Sequence, residues 1–433
     1  MLGRTAVIVS LFALAGLTPA PGKATDAELR GHGGPVRALA ISPDGRTAIT
    51  GSFDQSAILW QIDDGAALAV LRFHDGAVNA VAALAKGRFL TGGEDGRIAV
   101  WQAGEQKPVR VFADHGGAIV GLAVSPDGTK IASAAWDGTV RVTPLAGGEA
   151  RILEGHQGNV NAVAFLPDGR LVSAGYDATL RIWPGETGAP LIVTLPAPLN
   201  TVAVAGDGEI VTAGADGVVR MLKPDGVVRA QVETEQASPV TSLAVSPDGA
   251  RVAAATIGGS VAITDRAAAK LLGYVIEAGP PVWSLAFRPE GRELLSGGSD
   301  RLVRRWDMMS GKPIGRLAAA TSEHSIAELD EGRGAQLFQH CAACHTLTPN
   351  GENRAGPSLH GVFGRHIATA PGYNFSEALR KLDIVWNAET IGKLFEIGPA
   401  RYTPGTKMPE QTIEDRGDRE ALVRFLEEAT IER

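Results

Sequence analysis

Two cysteines and a histidine stand together at Cys341-Ala342-Ala343-Cys344-His345, and no other cysteine occurs in the 433 residues. In a Cys-x-x-Cys-His run, both thiols can add to the vinyl groups of a haem. The adjacent histidine then falls beneath the iron as an axial ligand. Two other chemistries use a Cys-x-x-Cys pair. Half of a zinc ribbon needs a second ligand pair, and a redox dithiol needs a βαβ setting. Neither accompanies this motif. The spacing predicts one haem c, covalently held by Cys341 and Cys344, with His345 on the iron.

The chain that must position this motif is long enough for two or three domains. Its net charge of -7 argues against nucleic acid, which asks for a basic stripe. Residues 1–24 read as a cleavable signal peptide: Arg4, an apolar core from Ala6 to Leu17, then small-residue cleavage sites at Thr18-Pro19-Ala20 and Gly22-Lys23-Ala24. The apolar run is shorter than the roughly 20 residues of a membrane span. We therefore expect a periplasmic protein with no integral membrane segment after cleavage. That location agrees with the motif, because c-type haem is attached outside the bacterial cytoplasm.

From about residue 26 the sequence repeats. Pro35-Val36-Arg37-Ala38-Leu39-Ala40 recurs in variant form at 77, 118, 159, 198, 239 and 281, always 39 to 42 positions on. Each start leads into a turn, often Ser-Pro-Asp-Gly as at Ser42 to Gly45, and then into further short apolar stretches. A second turn carries Asp54, Asp95, Asp137, Asp177, Asp216 and Asp300. Four positions before each stands a hydroxyl: Thr50, Thr91, Ser133, Ser173, Thr212 and Ser296. Six positions after stands Trp60, Trp101, Trp183 or Trp306, replaced by Thr143 and Leu222 in two repeats. His32, His74, His115 and His156 lie 21 or 22 positions before the first four aspartates.

Four strands in a repeat of about 40 residues form one propeller blade. Residues 25–320 resemble the WD-repeat family, whose His-Asp-Ser/Thr-Trp network these positions match. The resemblance implies a seven-bladed all-β propeller, closed either by Ala27 to Arg30 or by Pro313 to Leu317. The sixth repeat has Gly258 and Thr264 at the aspartate and tryptophan positions and is expected to be the least rigid. The four histidines are then structural, because a buried aspartate needs donors. In this family the residue before the turn aspartate lies near the narrow end. Here Phe53, Trp136 and Tyr176 stand there, with Trp283 as a further candidate. Exposed aromatics mark contact sites, so this face is the expected dock for redox protein partners; packing between blades is the alternative role for the same aromatics.

A polar connector of small residues begins at Ala318, and residues 321–331 form the linker. Helical spacing runs through Ile326, Leu329, Gly334, Leu337 and Phe338 into the haem motif. Further helices are expected after Ser376, over Ala388 to Phe395, and over Asp418 to Ala429. Residues 332–433 resemble an all-α class I cytochrome c of the mitochondrial type. The matching blocks are the haem motif, Gly356-Pro357, Leu359 to Arg365, Ala370-Pro371-Gly372-Tyr373, Trp386, and Pro404-Gly405-Thr406-Lys407-Met408. The resemblance implies His345 and Met408 as iron ligands, and Met408 is also the only methionine of this domain. It implies that the Pro357 carbonyl receives the histidine's second nitrogen, that Arg365 and Trp386 meet the haem propionates, and that Tyr402 and Thr406 brace the methionine strand. His360 and His366 are the rival distal ligands. Phe375, Leu379, Phe395 and Glu410 depart from the family's pattern, and little of its lysine ring remains beyond Lys407.

A haem with both axial positions filled shuttles single electrons and has no open site for substrate. The leading expectation is an electron carrier rather than an enzyme, with the propeller as a docking scaffold. An oxidoreductase whose propeller feeds electrons to the haem is the first alternative. Haem-d-type nitrite reductases also join such domains, but they use a larger propeller in a different order. A redox-dependent assembly or sensor protein is the second alternative.

Overall fold

Seven antiparallel sheets, one from each repeat, make up the N-terminal part of the computed structural model. The structure describes residues 28–113, 115–234, 238–315, 332–342, 344–348, 354, 356–373, 375–408 and 411–430. The signal-peptide expectation therefore lies outside the described residues, as do the linker at 321–331 and Glu410.

Blade one shows the pattern: inner strand Val36–Ile41, then Thr47–Ser52, Ser56–Gln61 and outer strand Ala67–Arg72, each paired with the next. The second strand is buried along most of its length, because neighbouring blades cover both of its faces. Every inner strand opens on a buried apolar residue (Val36, Val78, Ile119, Val160, Leu199, Val240, Val282). In each one the register shifts immediately after that residue. A bulge re-aims the side chain it carries. At this position Asn161 donates to the Leu199 carbonyl, Asn200 to that of Val240 and Thr241 to that of Val282, so three successive blades are tied to the next.

Both candidate closing segments are used. Glu28–Arg30 pairs with the last blade's third strand over Leu302 to Arg304, and Lys312–Pro313 pairs with the same strand over Trp306 and Asp307. They share one edge, end to end, so the expected choice between them does not arise. Joining the first and last segments of the propeller in one sheet closes the ring.

The repeat network forms as the spacing predicts. His32 Nδ1 lies 2.9 Å from Asp54 and its Nε2 lies 2.7 Å from Thr50, which also accepts from the Trp60 indole at 2.8 Å. Blades two and four repeat the set. Where the histidine is missing, an arginine four residues beyond the aspartate takes its place. Arg220 pairs with Asp216 at 2.6 Å in blade five, and Arg304 pairs with Asp300 at 2.6 Å in blade seven. Blade six keeps its four strands and substitutes a Thr256–Ser260 hydroxyl pair. Phe53, Trp136 and Tyr176 are exposed by 47%, 50% and 62%, and the Trp136 indole also donates to Asn161 of the next blade at 3.3 Å. Trp283 does not join them. It is half-buried beneath the Arg37 guanidinium, 5.6 Å from ring centroid to carbon.

The C-terminal domain is helical: α1 (Arg333–Ala342), α2 (Glu377–Arg380), α3 (Ala388–Ile397), α4 (Pro399–Tyr402) and α5 (Arg416–Thr430). The sequence did not predict α4. It is a single turn begun by Pro399, a residue pre-set for a helix's first position. The close crossing of α1 and α5 depends on Gly334. A Cβ there would lie 2.2 Å from the Ala421 carbonyl oxygen. Beside it, Phe338 and Phe425 stack at 5.5 Å, and Leu422 and Leu426 complete the seam.

Candidate functional site

Helix α1 ends in the cysteine motif. The backbone amides of Cys344 and His345 both donate to the Cys341 carbonyl at 3.0 Å, so the chain turns tightly after Cys341. That turn brings Cys341, Cys344 and His345 onto one cleft. The His345 Nδ1 donates to the Pro357 carbonyl at 2.7 Å, which leaves Nε2 as the nitrogen bearing a lone pair. Burial pushes the imidazole down to about 4, so it is the neutral form that a metal accepts. Burial likewise pushes both thiols up to about 11. Gly356 permits this packing, since a Cβ there would lie 2.3 Å from the His345 ring.

Met408 lines the same cleft. Its backbone amide donates to the Thr406 hydroxyl at 3.1 Å, and the Thr406 amide donates to the Thr403 carbonyl, so Thr406 holds the turn that leads into Met408. Ser376 caps α2 and donates to the Gly405 carbonyl, tying the strand to the cleft's other segment. Trp386 and Arg365 also border the cleft. The Arg365 Nη1 and Nη2 point to the carbonyls of His360 and Ser358, so this side chain also pins a loop. Tyr402 is absent from the cleft wall. It packs against the helical core instead. Of the rival histidines, His360 does not line the cleft, whereas His366 lines it with its ring nitrogens 3.1 Å from Asp383 and from the Ile367 carbonyl. Phe375, Leu379 and Phe395 add apolar wall. An apolar cleft with two thiols, a neutral imidazole and a thioether on its surface is chemically suited to a haem.

Residues 332–430 match the cytochrome c family. Cytochrome c of Stellaria longipes is 40% identical over 104 residues, 24% of this chain and 95% of that protein. Cytochrome c of Cochliobolus lunatus is 41% identical over 102 residues, 23% of this chain and 94% of that protein. Through its C-terminal domain the chain belongs to the cytochrome c family. Cytochrome c2 of Blastochloris viridis is also similar, 32% identical over 115 residues, 27% of this chain and 90% of that protein. The WD domain, G-beta repeat family matches residues 24–61, 65–102, 106–143, 147–184 and 272–307. The stretch between the last two segments holds the inner strands of blades five and six, where the histidine is missing. The chain is thus a WD-repeat propeller followed by a cytochrome c domain, and a cytochrome c domain implies haem c.

The cytochrome c domain does not face solvent alone. Blades one and two of the propeller lie against its cleft. Asp54 and Arg72 line the cleft together with the cytochrome residues. Arg72 sits over the Tyr373 ring at 5.6 Å. Lys407, next to Met408, donates to the His74 carbonyl at 2.8 Å and pairs with Asp75 at 3.3 Å. Sequence reasoning missed Asp54, Arg72 and Asp75 as neighbours of the site. No local signal marks them, because their partners lie some 300 residues away and the repeat pattern treats them as ordinary blade positions.

Proposed function

We propose that this protein is a periplasmic electron carrier. One haem c is attached through Cys341 and Cys344 and ligated by His345 and Met408, and the propeller serves as the scaffold on which a redox protein docks. The observation that carries the reading is the meeting of both cysteines, His345 and Met408 on one apolar cleft. When bound there, haem supplies one-electron redox chemistry. The chain's part is to hold it. Pro357 fixes the imidazole tautomer, Thr406 holds the methionine strand, and Arg365 with Trp386 closes the wall. If His345 and Met408 both hold the iron, as their place on one cleft allows, the haem would offer no open position to a substrate, which favours electron transfer over catalysis. In blades one to four, both ring nitrogens of each histidine already have aspartate and hydroxyl partners, which favours a structural role over a second cofactor site. Among the described residues no helix is long and apolar enough to cross a membrane.

The test is maturation of the full chain in a host that attaches c-type haem. The mass should rise by one haem, and Cys341→Ser with Cys344→Ser should abolish the rise. Met408→Ala should keep the covalent haem and lose the weak long-wavelength band of sulfur-ligated ferric iron. No mass gain would overturn the reading. For the scaffold, Phe53, Trp136 and Tyr176 are the docking residues. Trp136→Ser with Tyr176→Ser should slow reduction by a panel of small periplasmic redox proteins, and unchanged rates across the panel would count against docking at this face.

A further inference from the structure

We infer that Arg72, a residue of the propeller, is a binding residue for a haem propionate, supplied to the cytochrome c domain across the interdomain contact. The inference rests on the haem reading above. Arg72 ends the outer strand of blade one and lines the cleft. Its side chain hydrogen-bonds to Tyr373, while its Nε and Nη1 are buried from solvent without a partner. Buried guanidinium nitrogens with no acceptor are costly, and a built site normally gives them one. A carboxylate entering this cleft would supply the acceptor these two nitrogens lack. A haem brings two carboxylates, and guanidinium is the side chain best shaped to receive a carboxylate by two parallel hydrogen bonds.

The other cations on the cleft are already engaged. Two Arg365 nitrogens point at backbone carbonyls, Lys407 is held by His74 and Asp75, and His366 faces Asp383. Phe375 and Leu379 line the same wall and offer no side-chain donor. Asp54 does not take the two free Arg72 nitrogens. Its own oxygens accept from His32, the Gly33 amide, and the amide and hydroxyl of Ser56. Among the described cleft residues, Arg72 thus holds the charged nitrogens that are both buried and unpartnered. Haem binding and domain docking are then one event: the propeller completes the haem pocket, and the haem holds the propeller in place.

The experiment is a spectroelectrochemical titration of the matured full chain. A guanidinium beside a propionate cancels negative charge near the iron and favours the ferrous state, so Arg72→Leu should shift the midpoint potential downward. Arg72→Lys, which keeps the charge, should recover part of the shift. Asp75→Ala removes an interdomain ion pair and leaves Arg72 in place, so its potential should stay close to that of the parent. In parallel, amide exchange at residues 72–76 should be slower in the haem-loaded chain than in the Cys341→Ser, Cys344→Ser chain. An unchanged potential in Arg72→Leu with full haem content overturns the inference and leaves the electron-carrier reading standing. An Asp75→Ala shift as large as that of Arg72→Leu assigns the effect to undocking and also overturns it. A chain that matures with no haem overturns both.

Discussion

Lys407 reaches across the domain boundary to Asp75, with its Nζ 3.3 Å from the carboxylate and 2.8 Å from the carbonyl of the preceding His74. A lysine of the haem-binding loop is thus held by the propeller, and this surface of the cytochrome c domain is occupied by its own chain. Asp75 is largely exposed and also pairs with Arg97, so the isolated ion pair contributes only about 0.2–1 kcal/mol. Reversing one charge should still loosen the contact, because it sets like charges together. Lys407→Glu should expand the particle in small-angle scattering, and adding Asp75→Lys should restore the compact form. Equal dimensions for all three would show that this pair does not hold the domains.

Gly356→Ala should act on the site without changing any reactive group. The new methyl would sit 2.3 Å from one atom of the His345 ring and 2.7 Å from two others. No real contact is that short, so the ring or the loop must move. Overpacking of this kind costs about 1–3 kcal/mol. The expected result is a lower melting temperature and a reduced yield of covalent haem, read by mass and by the haem absorbance of the denatured protein. Full haem incorporation at an unchanged melting temperature would show that the loop yields freely.

Arg220 should matter to blade five as histidine matters to its neighbours. The side chain is buried and grips Asp216 with two nitrogens, at 2.6 and 3.2 Å. Arg220→Ala would leave that carboxylate three-quarters buried with less compensation, at a cost of about 1.5–3 kcal/mol. Chemical denaturation of the full chain measures this. A loss below about 0.5 kcal/mol, within the range of ordinary surface substitutions, would mean that solvent already satisfies Asp216.

The propeller and the cleft were legible in the sequence for different reasons. Asp54, Thr50 and Trp60 recur at fixed offsets because each blade solves the same problem of satisfying a buried carboxylate, so the repeat displays the contact. Cys341, Cys344 and His345 are contiguous, and their chemistry is intrinsic to their spacing. Arg220 and Arg304 were passed over because a donor was sought far upstream, where histidine stands in other blades, and not four residues downstream. Trp283 looked like part of the aromatic face because sequence does not show that Arg37 covers it. The interdomain contact was beyond reach. Arg72 and Tyr373 meet across the boundary of two domains, some 300 residues apart in sequence, and neither residue's local pattern refers to the other.

The His156–Asp177 pair should make blade four sensitive to acid, with a definite sign. The desolvation of Asp177 alone would raise its pKa, but hydrogen bonds from Gln157, Thr179 and His156 outweigh it and hold the carboxyl down at about 2 against an ordinary 3.8. A carboxyl depressed in the folded state contributes stability that is fully present above 3.8 and is lost as pH falls towards about 2, because the unfolded chain takes up the proton first. His156 is also lowered from its ordinary value, since burial outweighs the pull of Asp177. Its contribution has the same sign and begins to fall below about pH 6.5. The melting temperature of the propeller should therefore decline in two stages on acidification, a shallow one below neutrality and a further one below about pH 4. Other network aspartates share the second stage, so Asp177→Asn should reduce its slope without abolishing it. An unaltered slope in that variant, with the four strands of the blade still protected from amide exchange, would remove Asp177 from the acid response.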